Sequence, residues 1–246
     1  MLTLEKMIGQ LEEAININSD DTVFSDRLFI DLINQARAVF IRQDLNKKRT
    51  ADPTIIQELP CVEMEPTTAA LCGCLDIPGN CQLLRSKKKI PDTIELSHND
   101  GILSVRPVQI IQAPFSYVDY KRIPHIHYSR FTKNVIYAFL LDDYMYLYSP
   151  GQEHYGLIEQ IHIRGIFEDP TSLADFNTCS DNSKCWTPND PYPLNQWMWA
   201  YMKETIVQQL LRKKSIPMDD NNNANDDTID IQRSSQAPQA KAQAKN

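Results

Sequence analysis

Six cysteines, five histidines and the carboxylate pairs Asp142-Asp143 and Glu168-Asp169 are side chains of this 246-residue sequence from which chemistry could be built. Cys72-Gly73-Cys74 and Cys81 lie close together, with Cys61 upstream and Cys179 and Cys185 far downstream. A structural zinc site usually draws on two CxxC-like knuckles, because four ligands must converge on one ion. The spacings here are CxC, a further cysteine seven positions on, and CxxxxxC. They favour separate buried or half-exposed thiols over a zinc site or a disulfide. His125 and His127 would share one face of a strand. No acid or thiol stands beside them at a ligand's spacing, so both read as satisfied or exposed polar groups. His98, His154 and His162 are isolated, and no GxSxG, HExxH or HRD motif supplies a partner. Asp142-Asp143 and Glu168-Asp169 have the types of a hydrolase acid–base pair. The first suits a hairpin turn better, and the second a helix cap. Trp197-Met198-Trp199, beside Tyr192 and Tyr201, reads as core or subunit interface, since aromatic residues dominate both. The sequence therefore assigns no catalytic residue, no cofactor and no metal.

Composition narrows the class further. Only 7 glycines are present, and neither GxGxxG nor GxxxxGK[ST] occurs, which counts against a nucleotide-binding enzyme. The formal net charge is -7, whereas a protein that grips DNA from outside usually presents a basic face. Three short basic runs, Lys47-Lys48-Arg49, Lys87-Lys88-Lys89 and Arg212-Lys213-Lys214, read as solvated faces or interfaces rather than nucleic-acid contacts. Charged residues interrupt the apolar ones near the N-terminus, so no signal-peptide core is expected there. No apolar run approaches the roughly 20 residues of a membrane-spanning helix. Folding in a cytoplasm, where disulfides seldom persist, is the expectation.

The elements that would position these residues follow from periodicity. Leu4, Met7, Ile8, Leu11 and Ile15 predict an amphipathic helix over residues 2–17. Ser25 caps a second helix, with an apolar stripe of Leu28, Phe29, Leu32, Ile33, Ala36, Val39 and Phe40, and the two helices form a hairpin. Residues 59–64 look extended, and Pro60 predicts an edge position. A short helix is expected at residues 67–72. Residues 93–96 and 102–105 flank Asn99-Asp100-Gly101 as one hairpin, and residues 135–141 and 144–148 flank Asp142-Asp143 as another. The spacing of Ile158, Ile161, Ile163 and Ile166 predicts a further strand. Asp169-Pro170 opens a short helix. Residues 194–214 form a longer one, with Trp197, Tyr201, Ile206, Leu210 and Leu211 on one side. Beyond Pro217 the chain is polar and offers little apolar area to offset the entropy of ordering.

The expected fold is thus α+β: a helical-bundle core from the N- and C-terminal helices, a β-rich insertion, and a long C-terminal arm. The segments are residues 1–50 as a helical hairpin, 51–91 as an irregular linker, 92–168 as the β-rich insertion, 169–214 completing the bundle, and 215–246 as the arm.

Several stretches between residues 20 and 227 resemble one known family. They are Asp31-Leu32-Ile33-Asn34-Gln35-Ala36-Arg37, Cys81-Gln82-Leu83-Leu84-Arg85-Ser86 with Lys89-Ile90-Pro91, and Arg130-Phe131-Thr132-Lys133-Asn134. Further on come Asp142-Asp143-Tyr144-Met145-Tyr146, Ile163-Arg164-Gly165-Ile166-Phe167-Glu168-Asp169-Pro170, and Asp190-Pro191-Tyr192-Pro193-Leu194 with Trp197. In this order they resemble the head-to-tail connector or neck-ring proteins of short-tailed phages, in the form found in crAss-like phages. That resemblance implies a virion protein forming a homo-oligomeric ring, a dodecamer, beneath the portal. The ring would contact the portal and an adjacent tail or neck ring and extend a channel through which DNA passes without sequence-specific binding. It would involve no membrane. The expected interface residues are Trp197, Trp199 and Tyr201, the hairpin tip at Asp142 and Asp143, and Ile229 and Ile231 of the arm. A phage-encoded cytoplasmic enzyme or binding module with a Cys/His site stands as the alternative.

Overall fold

A computed structural model describes residues 2–16, 24–48, 50–67, 83–96, 101–108, 113–128, 134–151 and 157–215. The chain divides into two compact units, Met1–Val207 and Gln208–Asn246, and the described part of the second is helical to Ser215.

The helices form where the periodicity places them. Helix α1 (Leu4–Asn16) buries Leu4, Met7, Leu11 and Ile15 and leaves Glu5, Lys6, Glu12 and Glu13 in solvent. Helix α2 (Asp26–Lys48) begins after Ser25, whose hydroxyl accepts from the Leu28 N–H. Its buried stripe is Phe29, Ile33, Arg37, Ile41 and Leu45, a strict repeat of four with an arginine at its centre. The predicted stripe was broader and placed Val39 inside; Val39 is 50% exposed. A repeat of four drifts about 40° per step around a helix of 3.6 residues per turn, so the buried face winds away from the straight stripe.

Among the described residues, seven strands form the core: β1 (Gln57–Pro66), β2 (Leu84–Ser86), β3 (Ile102–Pro107), β4 (Ser116–Tyr117), β5 (Tyr137–Leu141), β6 (Tyr144–Tyr148) and β7 (Gln160–Gly165). Their order in the sheet is β3-β7-β1-β2-β6-β5-β4, antiparallel except for the β4–β5 pair. The Phe115 N–H, just before β4, donates to the Val105 carbonyl of β3 at 2.9 Å. Opposite edges of the sheet therefore approach each other, and the sheet curls toward a barrel. On one face of the sheet, Phe139 stacks on Tyr146 with ring centroids 5.3 Å apart, and Ile123 and Ile126 of a 3-10 segment (Tyr120–Tyr128) pack on the same cluster.

The structure corrects the expected helical-bundle core. The core is this β-rich sheet, and the helices lie outside it. The helices do touch: the indole N–H of Trp199, in helix α3 (Gln196–Ser215), donates to Gln10 Oε1 of α1 at 2.7 Å. The misreading arose at residues 51–91, which supply β1 and β2. Strands of two or three residues, such as β4 and β2, are too short to show period two. Two strand details differ as well. β1 lies centrally between β7 and β2, and its register slips between Leu59 and Val62, so Pro60 sits at a bulge rather than on an edge. β3 pairs with β7, not with residues 93–96, whose Thr93 bridges Phe167 instead. Gly101 permits this pairing. A Cβ there would lie 2.6 Å from the Ile166 carbonyl oxygen, whose own amide donates to Gly101 O.

The second predicted hairpin forms as read. Leu141 pairs with Tyr144, and Asp142 and Asp143 occupy the loop with φ of 50° and 66°. Positive φ at both loop positions is the type I′ requirement, which Asp tolerates. Asp169 caps a 3-10 turn (Pro170–Asp175) by accepting from the Thr171 N–H. The short helix expected at residues 67–72, the turn residues Asn99 and Asp100, and the C-terminal arm lie outside the described residues.

Candidate functional site

Arg37 is the centre of a highly connected polar group among the described residues. It is fully buried, yet its guanidinium finds acceptors on three sides. Nε donates to Pro193 O at 2.9 Å, Nη1 to Phe167 O at 2.5 Å, and Nη2 to Gln57 Oε1 at 3.4 Å. The ring of Tyr192 lies 5.9 Å from its central carbon. The Tyr192 hydroxyl donates to Asn34 Oδ1 at 2.6 Å, and Asn34 Nδ2 donates to Asp169 Oδ1 at 2.8 Å. Burial pulls Arg37 below the ordinary guanidinium range, and Tyr192 and Asp169 oppose that shift. Burial also drives Tyr192 well above the ordinary phenol range. A neutral phenol that donates and a guanidinium that cannot deprotonate make a staple, not a proton-transfer pair.

Three of the stretches quoted above meet here: residues 31–37 supply Asn34 and Arg37, residues 163–170 supply Phe167 O and Asp169, and residues 190–194 supply Tyr192 and Pro193 O. Pieces separated by more than 150 positions close one buried junction between α2, β1, the turn after β7 and the entry to α3. Sequence reading did not place Arg37 inside. The signal was available in its position, four residues from both Ile33 and Ile41.

A second polar chain crosses β3, β7 and β1. Arg106 Nε donates to His162 Nδ1 at 2.6 Å, and His162 Nε2 faces Glu58 Oε2 at 3.2 Å. Arg164 pairs with the same Glu58. Burial first, and then the Arg106 charge, hold His162 below its ordinary value. It is therefore neutral, accepting at Nδ1, while Nε2 faces Glu58 outside hydrogen-bond geometry. Nδ1 is taken by Arg106 and the ring is buried. Burial alone would raise Glu58, but Arg164 and His162 bring it below the usual carboxylate range.

The cysteines divide. Cys61, at the β1 bulge, is bonded to Cys179, 118 positions away, which corrects the expectation of separate thiols for this pair. Spacing rules cannot find a bridge of that span, because it depends on the fold bringing two Cβ atoms together. The loop carrying Cys179 is organised by Asp181, which accepts from Thr178 and Ser183 and is thereby held down at about 2. Cys185 is a free thiol raised by burial. Cys72, Cys74, Cys81, His98, His154 and the side chain of His127 lie outside the described residues, and His125 is exposed. Among the described residues, no group of three or more His, Cys, Asp or Glu side chains is arranged to hold a metal. Within the same residues, no helix is long and apolar enough to cross a membrane.

The middle basic run is spent inside the subunit. Lys87 pairs with Glu63 at 2.8 Å, Lys88 donates to Asp175 O at 2.8 Å, and Lys89 pairs with Asp143 at 3.0 Å. Lys48 pairs with Asp44 and lies 5.3 Å from the Trp197 ring.

The expected interface residues separate by exposure. Trp197 and Tyr201 are 47% and 59% exposed and form an edge-to-face pair on α3, whereas Trp199 is buried. The buried face of α3 carries Met198, Trp199, Met202 and Ile206, so Trp197 and Tyr201 do not share a side with Ile206 as the spacing predicted. Asp142 is exposed at the hairpin tip, and Asp143 is held by Lys89 and by the Ile90 N–H, which donates to its carbonyl at 2.7 Å. Ile229 and Ile231 lie outside the described residues.

A family model described as phage tail ring protein 2, of the crAss type, matches residues 7–228. Ring protein 2 of Bacteroides phage crAss001 is 24% identical over 239 residues, which cover 93% of this chain and 99% of that protein. The chain belongs to the crAss-type phage tail ring protein 2 family.

Proposed function

We propose that this member of the phage tail ring protein 2 family is a non-enzymatic subunit of a homo-oligomeric ring in the neck of a phage particle. The family match, which spans nearly the whole chain, carries the reading. The polar geometry supports it: Arg37, His162 and Lys87 to Lys89 all have their partners within the subunit, as in a scaffold.

In this reading the ring is a dodecamer. One face seats on the portal protein, the other receives the next tail or neck ring, and the lumen extends the DNA channel. A closed ring repeats one heterologous contact at every subunit, so a modest interface becomes stable through multiplicity. Each subunit then needs two different complementary patches. The Trp197–Tyr201 pair is the first candidate, as exposed aromatic area of the kind enriched at interfaces. The hairpin tip at Asp142-Asp143 is the second. The C-terminal arm, with Ile229 and Ile231, adds to the contact by ordering on a neighbour. The net charge of -7 suits a channel wall that must release DNA, since tight binding requires neutralising phosphates.

Quantitative mass spectrometry of purified particles tests the reading. The expected result is this chain at a copy number equal to that of the portal protein. Absence from purified particles overturns it.

A further inference from the structure

The exposed aromatic pair of α3 and the β5–β6 hairpin tip have surroundings of opposite charge. Beside the tip opens a cleft of about 810 Å³, lined from α2, from residues 90–95 and from the hairpin itself. Its lining is mixed. Ile90, Pro91, Leu140 and Leu141 supply apolar area, and Tyr120, 42% exposed, adds an aromatic ring. Carboxylates outnumber cations along it by six to two. Lys89 pairs with Asp143, and Arg42 lies 3.8 Å from Glu168. Asp92, Glu95 and Asp142 are exposed and form no ion pair among the described residues. The cleft therefore offers apolar area among uncompensated negative charge.

The other patch has the complementary make-up. Trp197 and Tyr201 meet edge to face, and Lys48 Nζ lies 5.3 Å from the Trp197 ring. Lys47, next in the chain, is exposed and forms no ion pair among the described residues. Exposed aromatic area beside cations suits a surface that is partly apolar and acidic. Helix α2 contributes to both patches, with Arg42 at the cleft and Lys48 at the aromatic pair. Six residues turn a helix by about 600°, so these two side chains project about 120° apart. Complementary patches that face different ways join copies head to tail.

We infer that the ridge of Lys47, Trp197 and Tyr201 on one copy docks in the acidic cleft around Asp92 and Glu95 of the next, an inference that rests on the ring reading above. The aromatic rings cover the apolar part of the cleft, and Lys47 meets the unpaired carboxylates. Salt screens such exposed charges within roughly 8 Å at physiological strength, so ring assembly weakens as salt rises.

A charge exchange on the full-length chain tests this, read by mass photometry in the presence of portal protein. One variant carries Lys47→Glu, and another carries Asp92→Lys with Glu95→Lys. All three positions are exposed, and urea unfolding checks that each subunit is intact. Each variant alone should lower the ring fraction at least about tenfold, because a repelling contact recurs at every interface. A chain carrying all three substitutions should recover the rings, since the opposed charges return with their roles exchanged. A one-to-one mixture of the two variants should recover them too, because ridge and cleft then match wherever the variants alternate around an even-numbered ring. Rings unaffected by either variant, rings recovered by neither combination, or recovery in the combined chain but not in the mixture overturn the docking while the ring reading stands. A parent chain that forms no ring with portal protein overturns both.

Discussion

Arg37 Nε and the carbonyl oxygen of Pro193 are 2.9 Å apart across 156 positions of sequence, and that bond fixes the entry to α3 against the middle of α2. The same guanidinium holds the turn after β7 through Phe167 O. One side chain thus locks helix α2 and both C-terminal connections to the sheet.

Removing it should be among the most damaging single changes. Arg37→Ala leaves two or more buried acceptors unpaired and opens a cavity, and should cost about 3–5 kcal/mol. Arg37→Lys keeps the charge but not the planar fork, and should recover only part of that loss. Urea unfolding of the subunit reads both. A loss below about 1 kcal/mol for Arg37→Ala would show that the junction is not a staple.

The His162 chain predicts acid sensitivity. His162 is held below its ordinary value of about 6.5, so the unfolded chain takes up a proton before the folded one does. Glu58 is also lowered, which contributes in the same direction at lower pH. Stability should therefore be fully present above about pH 6.5 and fall as the pH drops below it. His162→Gln should flatten the upper part of that decline, just below about pH 6.5, and leave the Glu58 part. Unfolding midpoints at stepped pH values decide it; identical slopes in the two proteins would refute the assignment.

Reducing the Cys61–Cys179 bridge should lower stability by about 2–5 kcal/mol, since it closes a loop of more than 100 residues. Thermal melts with and without a phosphine reductant report the effect. Cys61→Ala with Cys179→Ala should melt like the reduced protein and no longer respond to the reductant. A persistent response would place the sensitive bond elsewhere.

Trp197→Ser with Tyr201→Ser should lower the subunit's stability by no more than about 2 kcal/mol, because Trp197 is about half exposed and Tyr201 more so. Ring assembly, followed by mass photometry in the presence of portal protein, should be lost. Normal ring assembly by the double variant would remove this face from the interface.

What could be read from the sequence was whatever depends on neighbours in the chain. Leu4, Met7, Leu11 and Ile15 announce α1, Asp142-Asp143 announces a tight hairpin, and Asp169-Pro170 announces a capped turn, all within a few residues. The sheet as a whole was hidden, because β2 and β4 are too short to carry a pattern and β1 gains its central place by pairing with β7, about 100 positions on. Pro60 looked like an edge marker because a bulge cannot be seen without the partner strand. Arg37 could not be placed from the sequence, because two of its acceptors are backbone carbonyls, which leave no trace in residue type. The aromatic cluster of α3 could not be divided between core and surface from composition alone: Trp199 is buried with Met198 and Met202, while Trp197 and Tyr201 are exposed.

The central claim is that this chain works as a ring between portal and tail. A cryo-EM reconstruction of the portal vertex of purified particles tests it most directly. The account predicts a closed ring of this subunit against the portal, coaxial with the DNA channel, with its curled seven-stranded sheet recognisable in each repeat. A portal vertex whose neck density is fully explained by other chains would contradict it.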